Sequence, residues 1–466
     1  MTFKRRTATD LPDPSSSLKG GVTLAQLNKR TLAHGILAGM PSVAASLTAS
    51  ALAPTATVSA SGAATSISGG VRIAPAKLSS TVLNTAGDPH FAYPGLPQGQ
   101  LIVISGDMCR PSILTDGTSQ AARWEPRFRF WHTGQAFEFY CRMLSTNFRY
   151  RIWVNGQPLT TDIQSAAVTT SGRYMLKVDF GSVDSRLIEL ETVDPEFGGV
   201  YIEPGACISR GPIRRTIGAI GDSITGGANG VERADAWLRY TSQLLGMDRN
   251  NVAIGGSGYV AAAVNGADFP ARVADCTAAA PDVLVVFGGC NDVANATLSQ
   301  TQAAATTFLT AVKAALPNTI IIVAGVWLTN TSALWQAGLD VDNALETIAT
   351  SLGMPFISIM DPLRQASSTT AWAASTAYVL GDLCLRNGWV QKCIIAHTST
   401  GSFDQTKWRA TPFVNGSGKS TALANDGSAD TIVSSDGIHP TANGHKALGR
   451  FFTRHIVKQL ETVAAN

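Results

Sequence analysis

A serine hydroxyl is a poor nucleophile until a base takes its proton, so acyl-transfer chemistry asks for a serine, a histidine and an acid that can converge. This chain of 466 residues offers one such set. Gly221-Asp222-Ser223-Ile224-Thr225 follows an apolar run directly, which places Ser223 just past a strand end and facing a cleft. Asp436-Gly437-Ile438-His439-Pro440 sets an acid three residues before a histidine. An acid at that spacing can turn back onto the ring Nδ1–H, leaving Nε2 for the nucleophile and stabilising the imidazolium that forms. Of the seven histidines, only His439 has both such an acid and a helix starting immediately behind it. His445 fits a helix face, and His34, His90, His132, His397 and His455 have no comparable partner. Asp222 is read as a brace for the serine loop rather than a reacting group.

The oxyanion of an acyl-transfer intermediate needs donors, each worth on the order of 10²–10³ in rate. Gly255-Gly256-Ser257-Gly258 follows a second apolar run, and a glycine there lets a bare backbone N–H approach the substrate. Gly289-Cys290-Asn291-Asp292 follows a third and can aim the Asn291 amide at the same point. Taken singly these strings are weak: turns, strand-to-helix loops and Asx turns produce all of them. Four of them in one order, each past a strand or before the final helix, form a specific constellation. They resemble the sequence blocks of the SGNH (GDSL-type) hydrolase family. The resemblance covers about 211–369 and 413–466, and it implies Ser223 as nucleophile with Asp436 and His439 as acid and base. It also implies an oxyanion hole from the Ser223 backbone, Gly258 and Asn291. One departure is Ala253, where block two usually opens with asparagine; this touches a loop hydrogen bond and not the mechanism.

Rival motifs fare worse. Gly256-Ser257-Gly258-Tyr259-Val260-Ala261 fits a dinucleotide fingerprint, but those glycines already serve the first reading. Gly418-Lys419-Ser420 lacks the first glycine of a phosphate loop, since Phe413 stands there. The seven cysteines are dispersed without a Cys-x-x-Cys pair, which argues against both a disulfide framework and a structural zinc. Cys384 and Cys393 could pair across a hairpin or remain buried free thiols. No metal or organic cofactor is implied.

The elements that must position these residues follow from periodicity. From about 211 onward, apolar strands at Thr216–Ile220, Val252–Ile254, Val283–Phe287, Ile320–Gly325 and Phe356–Ile359 alternate with helical periods. The helices fall at about Ala234–Leu245, Gln300–Ala315, Ala333–Leu352 and Gly444–Leu460. Such alternation predicts an α/β fold with a parallel sheet covered on both faces and ligands beyond the strands' carboxyl ends. The family resemblance implies a flavodoxin-like, doubly wound sheet. Residues 85–210 instead carry short runs rich in Val, Ile, Phe, Tyr and Trp with Asn155-Gly156 and Ser171-Gly172 turns, the pattern of an all-β sandwich or jelly-roll-like domain. Residues 1–84 are expected to be a poorly ordered attachment or linker segment, with a short helix at 22–37.

Residues 370–411 interrupt the hydrolase domain (211–466) as a small β insert. Trp372, Tyr378, Gly381-Asp382, Trp389, His397 and Trp408 make it similar to chitin-binding-type carbohydrate modules. That resemblance makes Trp389 and Tyr378 candidate sugar-stacking rings, against the alternative that a module so small needs its aromatics as core.

Charged residues make up only 15% and the net charge is +3 with no sustained basic run, so a nucleic-acid partner is not supported. The uncharged stretch 31–71 is broken by Pro41 and Pro54 and lacks the ~20 apolar residues that span a bilayer. No clear signal peptide is read. The combined expectation is a serine esterase that removes O-acetyl groups from a polysaccharide. A lipid or aryl esterase and a glycan-binding adhesin with an inactive hydrolase domain are the alternatives. The arrangement resembles a bacteriophage tail spike, which would place it outside the cell or on a virion and make it a homotrimer.

Overall fold

Runs of β-branched and aliphatic residues too short for a helix build the centre of the molecule. In the computed structural model five parallel strands stand in the order Asp248–Asn251, Thr216–Gly221, Val283–Phe287, Ile320–Ala324 and Phe356–Ile357. The structure describes residues 23–41, 49–95, 101–105, 108–111, 127–193, 195–263, 267–278, 280–328, 334–360, 370–380, 382–386, 389–410, 413–414 and 428–465. Side chains alternate along a strand. Val283, Val285 and Phe287 therefore enter one core with Leu32, Trp237, Leu448 and Phe452, whereas Leu284 and Val286 enter another with Phe308, Leu309 and Leu345. Helices Leu24–Ala38, Trp237–Leu245 and Ala442–Ala465 cover the first face; Val273–Ala278, Leu298–Ala315 and Trp335–Ser351 cover the second.

Two expectations change here. The second strand is Asp248–Asn251 and not Val252–Ile254. Its polar sequence hid it, because Asp248 and Arg249 are buried against charged partners rather than apolar ones. Residues 23–41 and 49–84 also carry more order than their composition suggests; residues 1–22 and 42–48 lie outside the described residues. Thr23 and Gln26 form a capping box that starts the helix Leu24–Ala38, which buries Leu32, Ala33 and Ile36 in the core shared with the closing helix. Thr55–Val58 and Val71–Ile73 pair antiparallel with Leu176–Asp179 and Val200–Ile202. These edge strands have little apolar alternation, so the partner strand and not their own sequence defines them.

Eleven strands join in a large antiparallel region. Two are long: Arg127–Met143 and Arg173–Val193 pair along most of their length, with a register shift between Gly134 and Ala136. The runs read separately in the sequence are thus single strands crossing a bulge. Between the pairs Gly134–Asp184 and Ala136–Asp179 the second strand carries three residues more than the first. An odd offset switches which parity of Arg127–Met143 faces inward, and the core takes Phe128 and Phe130 before the shift but Phe137, Phe139 and Cys141 after it.

The opposite face near Arg127 is charged, and it docks on the parallel-sheet domain. Arg129 Nη2 lies 2.5 Å from Asp248, and Arg127 bonds Glu189 at 3.2 Å. Glu191 is fully buried and accepts from Arg151 Nε at 2.9 Å, from Trp153 Nε1 at 3.2 Å and from Arg249.

The insert forms a three-stranded sheet, Leu383–Arg386, Trp389–Cys393 and Trp408–Ala410, beside a two-stranded ladder of Ala377–Tyr378 with His397–Thr398. Tyr378, Cys384, Cys393 and Trp408 are its buried core. Cys384 and Cys393 are free thiols. No helix among the described residues is long and apolar enough to cross a membrane.

Removing one carboxylate from a buried ionic cluster strands its partners, at a cost of about 3–5 kcal/mol. Glu191→Ala should therefore lower unfolding free energy by about that much in urea titration; a loss below about 1 kcal/mol would show that the interface does not depend on it.

Candidate active site

Ser223 opens a one-turn helix, Ser223–Gly226, directly after the strand Thr216–Gly221. Asp222 is the N-cap: its Oδ1 accepts from Ile224 N–H at 2.8 Å and fixes the turn that presents Ser223. Asp222 is buried, and burial pushes its carboxyl up to about 7, with Asp292 adding to the rise while Ile224 N–H and His439 oppose it.

His439 arrives from the loop before the closing helix. Its Nε2 lies 2.8 Å from Ser223 Oγ and its Nδ1 2.5 Å from Asp436 Oδ2. A carboxylate only accepts, so Nδ1 carries the proton and Nε2 is free to accept from the serine hydroxyl. Asp436 Oδ1 takes the backbone N–H groups of Ile438 (2.9 Å) and His439 (3.0 Å) and the Ser434 hydroxyl (2.5 Å). Burial alone would raise the Asp436 carboxyl; the hydrogen bonds from His439, Ser434 and those backbone groups outweigh it and hold the group well below the usual range. The structure thus brings Ser223, His439 and Asp436 together in one line.

Three further residues shape this line and were not found from the sequence. Asn229 Nδ2 donates to Asp436 Oδ2 and, at 3.1 Å, to Ser434 Oγ, so the loop after the serine is tied to the acid. Asn229 sits at φ 51°, a left-handed conformation that asparagine tolerates better than most residues. Trp327, buried past the strand Ile320–Ala324, donates its indole N–H to Ile438 O at 2.6 Å, next to the histidine. Asp292 is fully buried and accepts from the backbone N–H groups of Tyr259, Val260 and Ala261 at 2.7–2.8 Å, holding the glycine loop. Asn229 and Trp327 have no local sequence signature; Asp292 closes the Gly289–Asp292 motif, but its role shows only in the remote loop it holds.

The oxyanion assignments divide. Ser223 N–H stands at the head of its helix. Asn291 Nδ2 donates to Ser257 O at 2.9 Å and lies 3.4 Å from Asp222 Oδ2, which sets the amide between the serine and glycine loops. Gly258 is a correction: its N–H donates to Ala261 O at 2.8 Å and is not directed at a substrate. A Cβ there would stand 2.4 Å from the Asp292 carboxylate, so the glycine is required by packing. Two residues earlier, Gly256 has φ 79° and its N–H takes no partner among the described residues. The same shift applies to the loop hydrogen bond: Asn251, not the position of Ala253, supplies it, donating to Thr225 O and accepting from Ala253 N–H. Either glycine satisfied the spacing, and only the hydrogen bonds tell them apart.

The sugar-stacking candidates also change. Tyr378 is buried, its ring 4.7 Å from Trp408 and its hydroxyl accepting from Ala373 N–H at 2.9 Å, so it is core and presents no face. The side chain of Trp389 lies outside the described residues.

Residues 219–378 match the model of the GDSL-like Lipase/Acylhydrolase family. The chain carries a GDSL/SGNH hydrolase domain. The match contains Ser223, Gly256 and Asn291 and ends before the Asp436–His439 loop. No curated protein matches the sequence. Among solved structures, the salicylyl-acyltransferase SsfX3 from a tetracycline biosynthetic pathway is similar over 80% of this chain and 97% of its own, at 13% identity and TM-score 0.51. That likeness concerns the fold, and it extends over the antiparallel region as well as the hydrolase domain. An active-site mutant of a family two carbohydrate esterase from Clostridium thermocellum covers 80% and 99% at 14% identity, TM-score 0.48. The acetyl xylan esterase Est2A from Butyrivibrio proteoclasticus covers 62% and 89% at 14% identity, TM-score 0.44.

The raised Asp222 carboxyl makes stability pH-dependent. The folded form keeps its proton between the ordinary carboxyl value of 3.8 and about 7 while the unfolded form has lost it, so this contribution is full below 3.8 and declines as pH rises to about 7. Asp222→Asn, which keeps the accepting oxygen, should gain on wild type across that window and hold the gain above it. Parallel denaturation curves at pH 4 to 8 measure this; a pH-independent difference would contradict it.

Proposed function

We propose that this protein is a serine esterase that removes O-acetyl groups from a polysaccharide through an acyl-serine intermediate. The observation that carries the esterase reading is the continuous line Ser223 Oγ–His439 Nε2 and Nδ1–Asp436 at the carboxyl end of a parallel strand. In this reading Ser223 Oγ attacks the ester carbonyl as His439 Nε2 takes its proton. The carbonyl electrons move to oxygen, and the oxyanion is met by the N–H groups of Ser223 and Gly256 and by Asn291 Nδ2. Collapse expels the sugar alkoxide, which takes the proton from His439. Water, deprotonated by the same imidazole, then releases acetate from Ser223. Asp436 stays ionised throughout and stabilises the imidazolium.

The carbohydrate part of the proposal rests on the similarity of 370–411 to chitin-binding-type modules, since an esterase carrying a sugar module suits a polymeric substrate. The same resemblance favours a tail-spike setting, with the chain acting on a surface glycan outside the cell or on a virion, as a homotrimer.

Ser223→Ala should reduce turnover of p-nitrophenyl acetate by on the order of 10³-fold or more, with circular dichroism unchanged. Retained turnover would end the assignment. Asp436→Asn should lower kcat by about 10³–10⁴-fold, because the amide permits the wrong histidine tautomer. Proton NMR of acetylated bacterial polysaccharides should show loss of acetyl signals with wild type. Preference for long acyl chains in a p-nitrophenyl series would favour a lipid esterase, and glycan binding without acetate release would favour an adhesin.

A further inference from the structure

At the end of the parallel sheet opposite Ser223, a cavity of about 330 Å³ opens between the antiparallel region and the hydrolase domain. Arg214 precedes the strand Thr216–Gly221 and Met247 precedes Asp248–Asn251, so the cavity lies at the strands' amino ends. Trp153, Leu187 and Met247 give it apolar wall; Arg127, Arg214, Arg249, Gln243 and one carboxylate, Glu189, give it polar wall.

Two of these polar groups have nothing to bind. Both Gln243 side-chain atoms, Nε2 and Oε1, are buried without a hydrogen-bond partner. Their desolvation is uncompensated. The Arg214 guanidinium is half-buried and makes no side-chain hydrogen bond or ion pair among the described residues. Burial, reinforced by Arg129 and Arg127, lowers its proton affinity against the pull of Glu189 and Asp248.

The charge around the cavity is unbalanced. Arg127, Arg129, Arg151, Arg239 and Arg249 are bridged to four carboxylates, Glu189, Glu191, Asp235 and Asp248. Arg214 adds a sixth guanidinium, drawn to Glu189 and Asp248, which are already bridged to Arg127 and Arg129. Buried charge of one sign is stable only when it is paired.

We propose that this cavity binds a small organic carboxylate of monosaccharide size, a sugar acid, at a site separate from Ser223. The planar guanidinium of Arg214 matches a carboxylate with two parallel N–H donors. The Gln243 amide both donates and accepts, as a sugar hydroxyl requires. Trp153, Leu187 and Met247 suit the C–H face of a pyranose, and the volume lies at the small end of ligand pockets. This inference does not depend on the esterase reading.

Isothermal titration of the full chain with D-glucuronate, D-glucose and inorganic sulfate tests it. Glucuronate should bind one to one to wild type and equally to Ser223→Ala, with glucose at least about tenfold weaker. Arg214→Gln and Gln243→Leu should each weaken glucuronate by about tenfold or more while leaving p-nitrophenyl acetate turnover and melting temperature near wild type. Arg214→Lys keeps the charge without the fork and should fall between, which preserves the test if Arg214→Gln does not fold. No glucuronate binding, equal binding of glucose or sulfate, or affinity unmoved in Arg214→Gln would each overturn the proposal.

Discussion

Everything in the site depends on one contact: the imidazole of His439 must reach a hydroxyl 216 positions earlier in the chain. Packing of the closing helix Ala442–Ala465 makes this possible. Phe452 lies against Trp237 and Phe287, and Gly449 comes so close to the helix Trp237–Leu245 that a Cβ would stand 2.6 Å from Tyr240. Thr241 Oγ1 donates to Gly449 O at 3.1 Å across the same seam. The loop before that helix is then narrowed further by the bridge between Val433 and Pro440, by Trp327 on Ile438 O and by Asn229 on Asp436. Large hydrophobic burial sets the position of the helix, and a few directional hydrogen bonds set the ring.

The antiparallel region contributes differently. Its aromatic face is closed on itself, whereas its charged face meets the strand Asp248–Asn251, which runs beside the strand that presents Ser223. The interface is therefore ionic and directional rather than greasy. Ion pairs of this kind specify a register more than they add stability, which suits a surface that must hold an edge strand beside a catalytic loop. The glycine loop is held in the same manner, by one buried carboxylate accepting three backbone N–H groups.

Much of this was legible in the sequence wherever hydrophobic periodicity and burial agree. Val283–Phe287 is apolar at every position and is buried at every position, and the helix at 298–315 shows its period plainly. Legibility fails where polar residues are buried by remote partners, as at Asp248–Asn251, and where edge strands borrow their order, as at Thr55–Val58. In the site, Ser223, Asp436 and His439 carry local signatures because each must stand at a turn. Gly256 and Gly258 do not differ in pattern; which N–H is free depends on a hydrogen bond to Ala261. Tyr378 reads as a candidate platform by residue type, yet a module of this size buries it beside Trp408.

Turnover in this site requires that Ser223 become covalently acylated with His439 as its base. Mass spectrometry of the intact protein and its peptides after exposure to an activated alkylphosphonate ester tests this most directly. A single adduct is expected, mapped to Ser223 and slowed strongly in His439→Ala. An active preparation that takes no adduct, or takes it at another residue, would contradict it.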